Sequence, residues 1–118
     1  GSGPDTPRGS AERRVGAYVK SLEHGFFDDE SLDEVARRLG LSRRAFTSHF
    51  RSVAGMSREA YLRQLRVAHA CRLLDGTGRS IIGIAFECGY NDLSSFYRAF
   101  KREPRRTPAS WRAAAREA

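Results

Sequence analysis

Apolar residues recur three and four positions apart along the chain, and no stretch alternates as a half-buried strand would. Val15, Tyr18, Val19 and Leu22 share one face of a first helix that stops near Gly25. Ser31 to Glu34 reads as a capping box, in which the serine hydroxyl accepts the Glu34 amide while the glutamate reaches back. Leu32, Val35, Ala36 and Leu39 then form an apolar face, and Gly40 ends that helix. Ser42 caps a third helix with Phe46, Phe50 and Val53 inward and Gly55 as its stop. Ser57 opens a longer helix to about Leu74, carrying Tyr61, Leu62, Leu65, Ala68, Leu73 and Leu74, and glycines at 76 and 78 break it. Ser80 begins a short helix with Ile81, Ile84, Ala85 and Cys88, stopped at Gly89. Asn91 or Asp92 caps the next, with Phe96 and Phe100 inward. Thr107 and Pro108 start a last helix carrying Trp111, with proline at the first helical position. The pattern predicts an all-α chain of about seven helices.

Two passages of this pattern match each other. Set 31–51 against 80–101, and Ser31 meets Ser80, Val35 meets Ile84, Ala36 meets Ala85 and Gly40 meets Gly89. With one residue inserted in the second turn, Phe46 meets Phe96 and Phe50 meets Phe100. Ser57 and Tyr61 have echoes in Thr107 and Trp111. A repeated unit of helix, glycine turn and second helix, with a small alanine where the helices cross, describes a helix-turn-helix. The second helix of such a unit lies in the DNA major groove.

Through the segments SLDEVARRLGLSRRAFTSHFR, YLRQLRVAHACRLL and SIIGIAFECGYNDLSSFYRAFKRE with TPASWR, the chain resembles the DNA-binding domain of AraC/XylS-family bacterial transcription regulators. The resemblance runs from about Val15 to Arg112. It implies two helix-turn-helix subdomains joined by a long linker helix, with both recognition helices in successive major-groove segments on one face of the duplex. It also implies a cytoplasmic, nucleoid-associated regulator that most often activates transcription, with RNA polymerase as a partner. An effector-binding or dimerisation domain often stands elsewhere in such a chain. The expected organisation is a tag remnant or flexible linker at 1–12, a first subdomain at 13–56, a linker helix at 57–75 and a second subdomain at 76–118. A helix over 57–74 is roughly 27 Å long at about 1.5 Å per residue. That is close to the roughly 34 Å between successive groove faces on one side of the duplex.

Charge points the same way. The chain carries 21 basic and 14 acidic residues, and 19 of the basic ones are arginine. Residues 1–34 hold four basic and eight acidic side chains, whereas 35–118 hold 17 and six, net +11. A polyanionic partner suits that asymmetry, and the arginine fork matches phosphate and guanine better than a lysine does. A GC-rich genome would also favour arginine codons. Cys71 and Cys88 form no disulfide framework and read as small core residues. His24, His49 and His69 lack ligand spacing, so no metal or other cofactor is expected. No apolar run approaches membrane-spanning length, and no paired carboxylates or nucleophile–base spacing suggests an enzyme.

The candidate base-reading residues are Arg43, Arg44, Thr47 and Ser48 on the first recognition helix. On the second they are Leu93, Ser94, Ser95, Tyr97 and Arg98, with Leu93 placed to touch a thymine methyl. Ser42, Arg51, Lys101, Arg102, Arg105 and Arg106 are expected at phosphates, which position without specifying. Phe46, Phe50, Phe96, Phe100, Tyr61 and Trp111 are expected in the core. The chain departs from the family pattern at Pro104, Arg105 and Arg106, where an apolar residue and a glycine are usual. Arg105 must then take the left-handed position that glycine normally fills. Gly83 inside a short helix is a second departure, and both weaken the second unit. Competing readings are a nonspecific nucleic-acid binder and a helical protein-interaction module.

Overall fold

The computed structural model describes residues 7–26, 28 and 30–117; of the linker expected at 1–12, residues 1–6 lie outside them. Among the described residues the chain forms seven helices and no strand: α1 (Pro7–Gly25), α2 (Leu32–Arg38), α3 (Arg43–Ala54), α4 (Arg58–Gly76), α5 (Ile81–Glu87), α6 (Leu93–Arg102) and α7 (Pro108–Glu117). The first helix begins at Pro7, earlier than the flexible segment expected to 12, with a proline again at the first helical position.

The described residues divide into two compact units, one of 7–25 and 30–61, the other of 26, 28 and 62–117. In the first, α1 packs on α3. Val15, Val35, Phe46 and Phe50 are fully buried there, with Tyr18, Val19, Leu22 and Ala36 nearly so. Tyr18 meets Phe46 and Phe50 edge-on at ring separations of 5.7 and 6.2 Å, and Phe50 meets Tyr61 at 5.8 Å. Edge-to-face rings of this kind add to the area they bury. In the second unit, Val67, Ala70 and Leu74 of α4 close over Ile84, Ala85 and Cys88 of α5 and Phe96, Ala99 and Phe100 of α6.

Both helix-turn-helix turns are built alike. Ser31 and Ser80 accept the backbone N–H three residues on at 3.1 Å, and the Ser31–Glu34 capping box is complete. After α2, the Gly40 N–H donates to Arg37 O and the Leu41 N–H to Ala36 O. After α5, Gly89 donates to Phe86 O and Tyr90 to Ala85 O in the same pattern. This double closure satisfies carbonyls the helix end leaves open, and it needs a left-handed residue: Gly40 has φ 73° and Gly89 φ 99°.

Four expectations about the interior change. Val53 is 42% exposed, although it follows the buried Phe46–Phe50 pair by one turn near the end of α3. On α4, Val67 and Ala70 are buried while Ala68 is exposed, so the inward face is rotated from the one read in the sequence. Trp111 is half-buried: its indole N–H donates to Asp75 at 2.9 Å, which keeps that edge at the surface. Tyr61 is half-buried as well, with its ring on Phe50.

Arginine is part of this architecture. Arg14 donates to the Leu39 carbonyl, Arg58 to the Tyr18 hydroxyl and the Glu30 carbonyl, and Arg66 to the Phe26 carbonyl. Arg63 pairs with Glu103 at 2.7 Å with both side chains about three-quarters covered. Arg112 reaches the Leu74 and Thr77 carbonyls.

Arg105 has φ 62°, alone in the left-handed region among the described non-glycine residues. In the repeat its counterpart is Gly55, with φ 79°. A side chain there costs about 1–2 kcal/mol, partly offset because glycine loses more entropy on folding. Arg105→Gly is therefore expected to raise stability by about 1 kcal/mol in urea unfolding, and Arg105→Ala by little. Burial also raises the thiol pKa values, to about 11 at Cys71, helped by Asp75, and to about 12 at Cys88, helped by Glu87. At pH 8 iodoacetamide should modify native Cys71 roughly a hundredfold more slowly than the unfolded chain, and Cys88 more slowly still. An unfolded thiol ionises near 9.0 and the folded ones do not, so stability should fall as pH rises from 9 towards 12.

Candidate nucleic-acid interface

Each recognition helix is fixed at its start by a side-chain cap. Ser42 Oγ accepts the Ala45 N–H at 3.1 Å, and Asp92 Oδ1 accepts the Ser95 N–H at 2.7 Å. The backbone N–H of Ser95, and then its hydroxyl, hold the Asp92 carboxyl below the usual aspartate range. Each helix is rotated about its axis by two phenylalanines one turn apart, Phe46 and Phe50 on α3, Phe96 and Phe100 on α6, none more than 1% exposed. A helix held by positions i and i+4 presents the opposite arc outward.

On α3 that arc carries Arg44, Thr47, Ser48 and Arg51, all exposed and spaced as one continuous stripe. Arg44, Ser48 and Arg51 form no side-chain hydrogen bond or ion pair among the described residues. The Thr47 hydroxyl donates back to the Arg43 carbonyl at 2.9 Å, leaving it able to accept but not to donate. Arg43 lies off the stripe, and its guanidinium stands 3.6 Å from the Asp33 carboxylate of α2. The two adjacent arginines thus face different surroundings.

On α6 the equivalent stripe is Ser94, Tyr97, Arg98 and Lys101, again all exposed. Tyr97 is 43% exposed, its ring 5.9 Å from Phe96. Leu93, expected on the reading face, instead packs against the core of the second unit, because it lies three residues before Phe96 on the inward side. Ser95 is also off the stripe: its hydroxyl donates to Asp92 Oδ2 at 3.0 Å and accepts from Arg98 Nη2 at 3.3 Å. Placing α3 on α6 by the repeat matches Arg44 with Ser94 and Ser48 with Arg98. The arginine nearest the start of the stripe therefore moves one helical turn between the units, whereas Arg51 and Lys101 keep a cation at the same place.

Of the residues expected at phosphates, Arg51 and Lys101 lie on the stripes, and the others stand at the start of α3 or after Lys101. Ser42 is exposed, with its oxygen engaged in the cap and its O–H still free to donate. Lys101, Arg102, Arg105 and Arg106 are exposed and unpaired among the described residues. The left-handed turn at Arg105 follows directly on α6, so these cations continue from the end of that helix. Asp92 was expected as a cap, but its link through Ser95 to Arg98, and the Arg43–Asp33 pair, were missed in reading the sequence. An acid three and six residues before Ser95 and Arg98 could have shown the first; nothing local shows the second.

A family model described as a helix-turn-helix domain matches residues 35–114, from within α2 to within α7 and so across both turns. The domain of AdpA that was determined in complex with a target DNA superposes with a TM-score of 0.80 at 30% identity, over 87% of this chain and 94% of that one. The chain belongs to the AraC-type helix-turn-helix family. A second AraC-type structure, from Chromobacterium violaceum, gives a TM-score of 0.74 at 27% identity over 87% and 92% of the two chains. Among curated members, the HTH-type transcriptional activator RhaR of Klebsiella pneumoniae is 37% identical over 107 residues, 91% of this chain and 37% of that protein. RhaR of an Enterobacter species is 35% identical over 107 residues, covering 36% of its own length. The chain thus spans little more than a third of these relatives.

Proposed function

We propose that this chain is the DNA-binding module of a bacterial transcription regulator that reads a bipartite double-stranded operator, α3 and α6 entering successive major-groove segments. The observation that carries the reading is the pair of matching stripes, Arg44–Thr47–Ser48–Arg51 and Ser94–Tyr97–Arg98–Lys101. Each lies on a capped helix whose rotation is set by two buried phenylalanines. Arg44 and Arg98 read bases, each able to make a bidentate pair with guanine worth about 1–3 kcal/mol of discrimination. Ser48, Ser94 and Tyr97 line the same faces, and Thr47 offers an acceptor. Arg43 sits beside these as a phosphate neighbour tied to Asp33. Ser42, Arg51, Lys101, Arg102, Arg105 and Arg106 hold the duplex by its phosphates. The difference between the stripes supports specific reading over charge neutralisation, which requires no particular residue at any position.

The relatives named as transcriptional activators support activation as the regulatory outcome. In this reading RNA polymerase is the partner, and the cytoplasm, at the nucleoid, is the site of action. Effector binding or dimerisation belongs in this reading to sequence of the kind that fills the rest of those relatives.

Binding-site selection from a random duplex library, followed by titration at two salt concentrations, tests the proposal. Two separated boxes are expected. Arg44→Ala should relax one box and Arg98→Ala the other, each by about 1–3 kcal/mol at the base pair concerned. Lys101→Ala or Arg102→Ala should weaken all sequences about equally and lower the salt slope by about one. Enrichment of no sequence, with a steep salt dependence, would overturn the reading in favour of nonspecific binding.

A further inference from the structure

The two stripes differ in what holds their arginine. Arg44 has no side-chain partner among the described residues, whereas Arg98 is tethered through a serine to an acid. The tether has a direction. Asp92 Oδ1 accepts the Ser95 N–H at 2.7 Å, and Oδ2 accepts the Ser95 hydroxyl proton at 3.0 Å. With its proton committed to the carboxylate, Ser95 Oγ can turn only lone pairs towards Arg98, and Nη2 donates to it at 3.3 Å. If Ser95 were free to rotate, its proton could face the guanidinium and repel it. One guanidinium hydrogen is used in this way, which leaves the rest of the fork unengaged.

The first unit supplies an internal control. The counterpart of Ser95 there is Ala45, which has no hydroxyl, and the counterpart of Arg98 is Ser48. The N-cap of α3 is the neutral Ser42, whereas that of α6 is ionised. A carboxylate at the start of α6 also disfavours a phosphate there, although helix starts commonly take one. That end of α6 is set apart from the cations that follow Arg98, from Lys101 to Arg106.

We propose that Asp92 and Ser95 are positioning residues that pre-orient Arg98 towards a base edge with two adjacent acceptors, such as guanine N7 and O6, in the α6 half of the operator. This deepens the DNA-reading proposal and rests on it. Holding a long side chain before binding removes an ordering cost equivalent to about three- to tenfold in affinity for the base it meets.

The test compares the chain with its Ser95→Ala, Ser95→Thr and Arg98→Ala variants. Equilibrium binding is measured on the selected operator and on operators with each base pair of the α6 box replaced in turn. Ser95→Ala leaves the cap in place, since Asp92 accepts from the backbone of residue 95, and thermal melting checks that the fold is kept. Arg98→Ala should abolish discrimination at one base pair. Ser95→Ala should reduce it there about three- to tenfold, with the α3 box and the salt slope unchanged. Ser95→Thr, which restores a hydroxyl, should restore discrimination. Discrimination by Ser95→Ala equal to that of the unmodified chain would overturn the positioning role while leaving DNA reading intact. So would Arg98→Ala that still discriminates at every pair. An unmodified chain with no base preference would overturn the DNA-reading proposal and the positioning role with it.

Discussion

The orientation of everything chemical in this chain depends on two pairs of phenylalanines. Phe46 with Phe50, and Phe96 with Phe100, are buried to within 1% of complete exclusion from water. Burying one such ring is worth roughly 1.5–3 kcal/mol, so turning either helix to expose its pair would cost several kcal/mol. Rotation about the helix axis is therefore fixed, and with it the identity of the four residues that face outward. Rings of α1 and α4 complete the lock in the first unit, where Tyr18 and Tyr61 meet the pair edge-on. Trp111 takes the corresponding place in the second unit, 6.1 Å from Phe100.

On this common frame the two units have diverged in ways that physical chemistry can order. The left-handed exit from the recognition helix is made by a glycine in one and by an arginine in the other. The second unit accepts local strain and gains a cation that adjoins Arg106. The third residue of the short helix is Glu34 in one unit, closing the capping box, and Gly83 in the other, where only half of the box forms. A Cβ at Gly83 would meet Ser80 Oγ at 3.0 Å, whereas Glu34 stands at the equivalent position beside a cap of nearly the same dihedrals. The outer face of that helix differs as well. Asp33 and Arg37 in the first unit stand where Ile82 and Phe86, about half exposed, stand in the second.

Net charge overstates how many cations this surface offers to DNA. Arg14, Arg58, Arg63, Arg66 and Arg112 act as long, branched donors to carbonyls, a hydroxyl or a carboxylate within their own units. Arg66 also lies over the Tyr90 ring, at 5.7 Å. Arginine suits both tasks for one reason: a planar fork satisfies several acceptors at once, whether they belong to the backbone or to a nucleic acid. The cations left exposed and unpaired concentrate on α3, on α6 and in the segment after α6.

The sequence by itself determined what is local. Caps at Ser31, Ser42, Ser80 and Asp92, and left-handed stops at Gly40, Gly55 and Gly89, follow from side-chain oxygens and missing Cβ atoms that act within four residues. Helical spacing and the repeat revealed the Phe pairs, and the departure from the family pattern after α6, where a glycine is usual, revealed the strained Arg105. Only the tertiary structure decided which neighbours close over each face. It moved Val53 out and Leu93 in, because burial depends on which neighbours cover a position and not only on the period of the helix that carries it. It separated Arg43 from Arg44, adjacent in sequence, since a turn of about 100° per residue set one beside Asp33 and the other in the open. And it distinguished arginines that hold the fold from arginines left to meet a partner, since that distinction rests on acceptors 25 to 40 residues away in the chain.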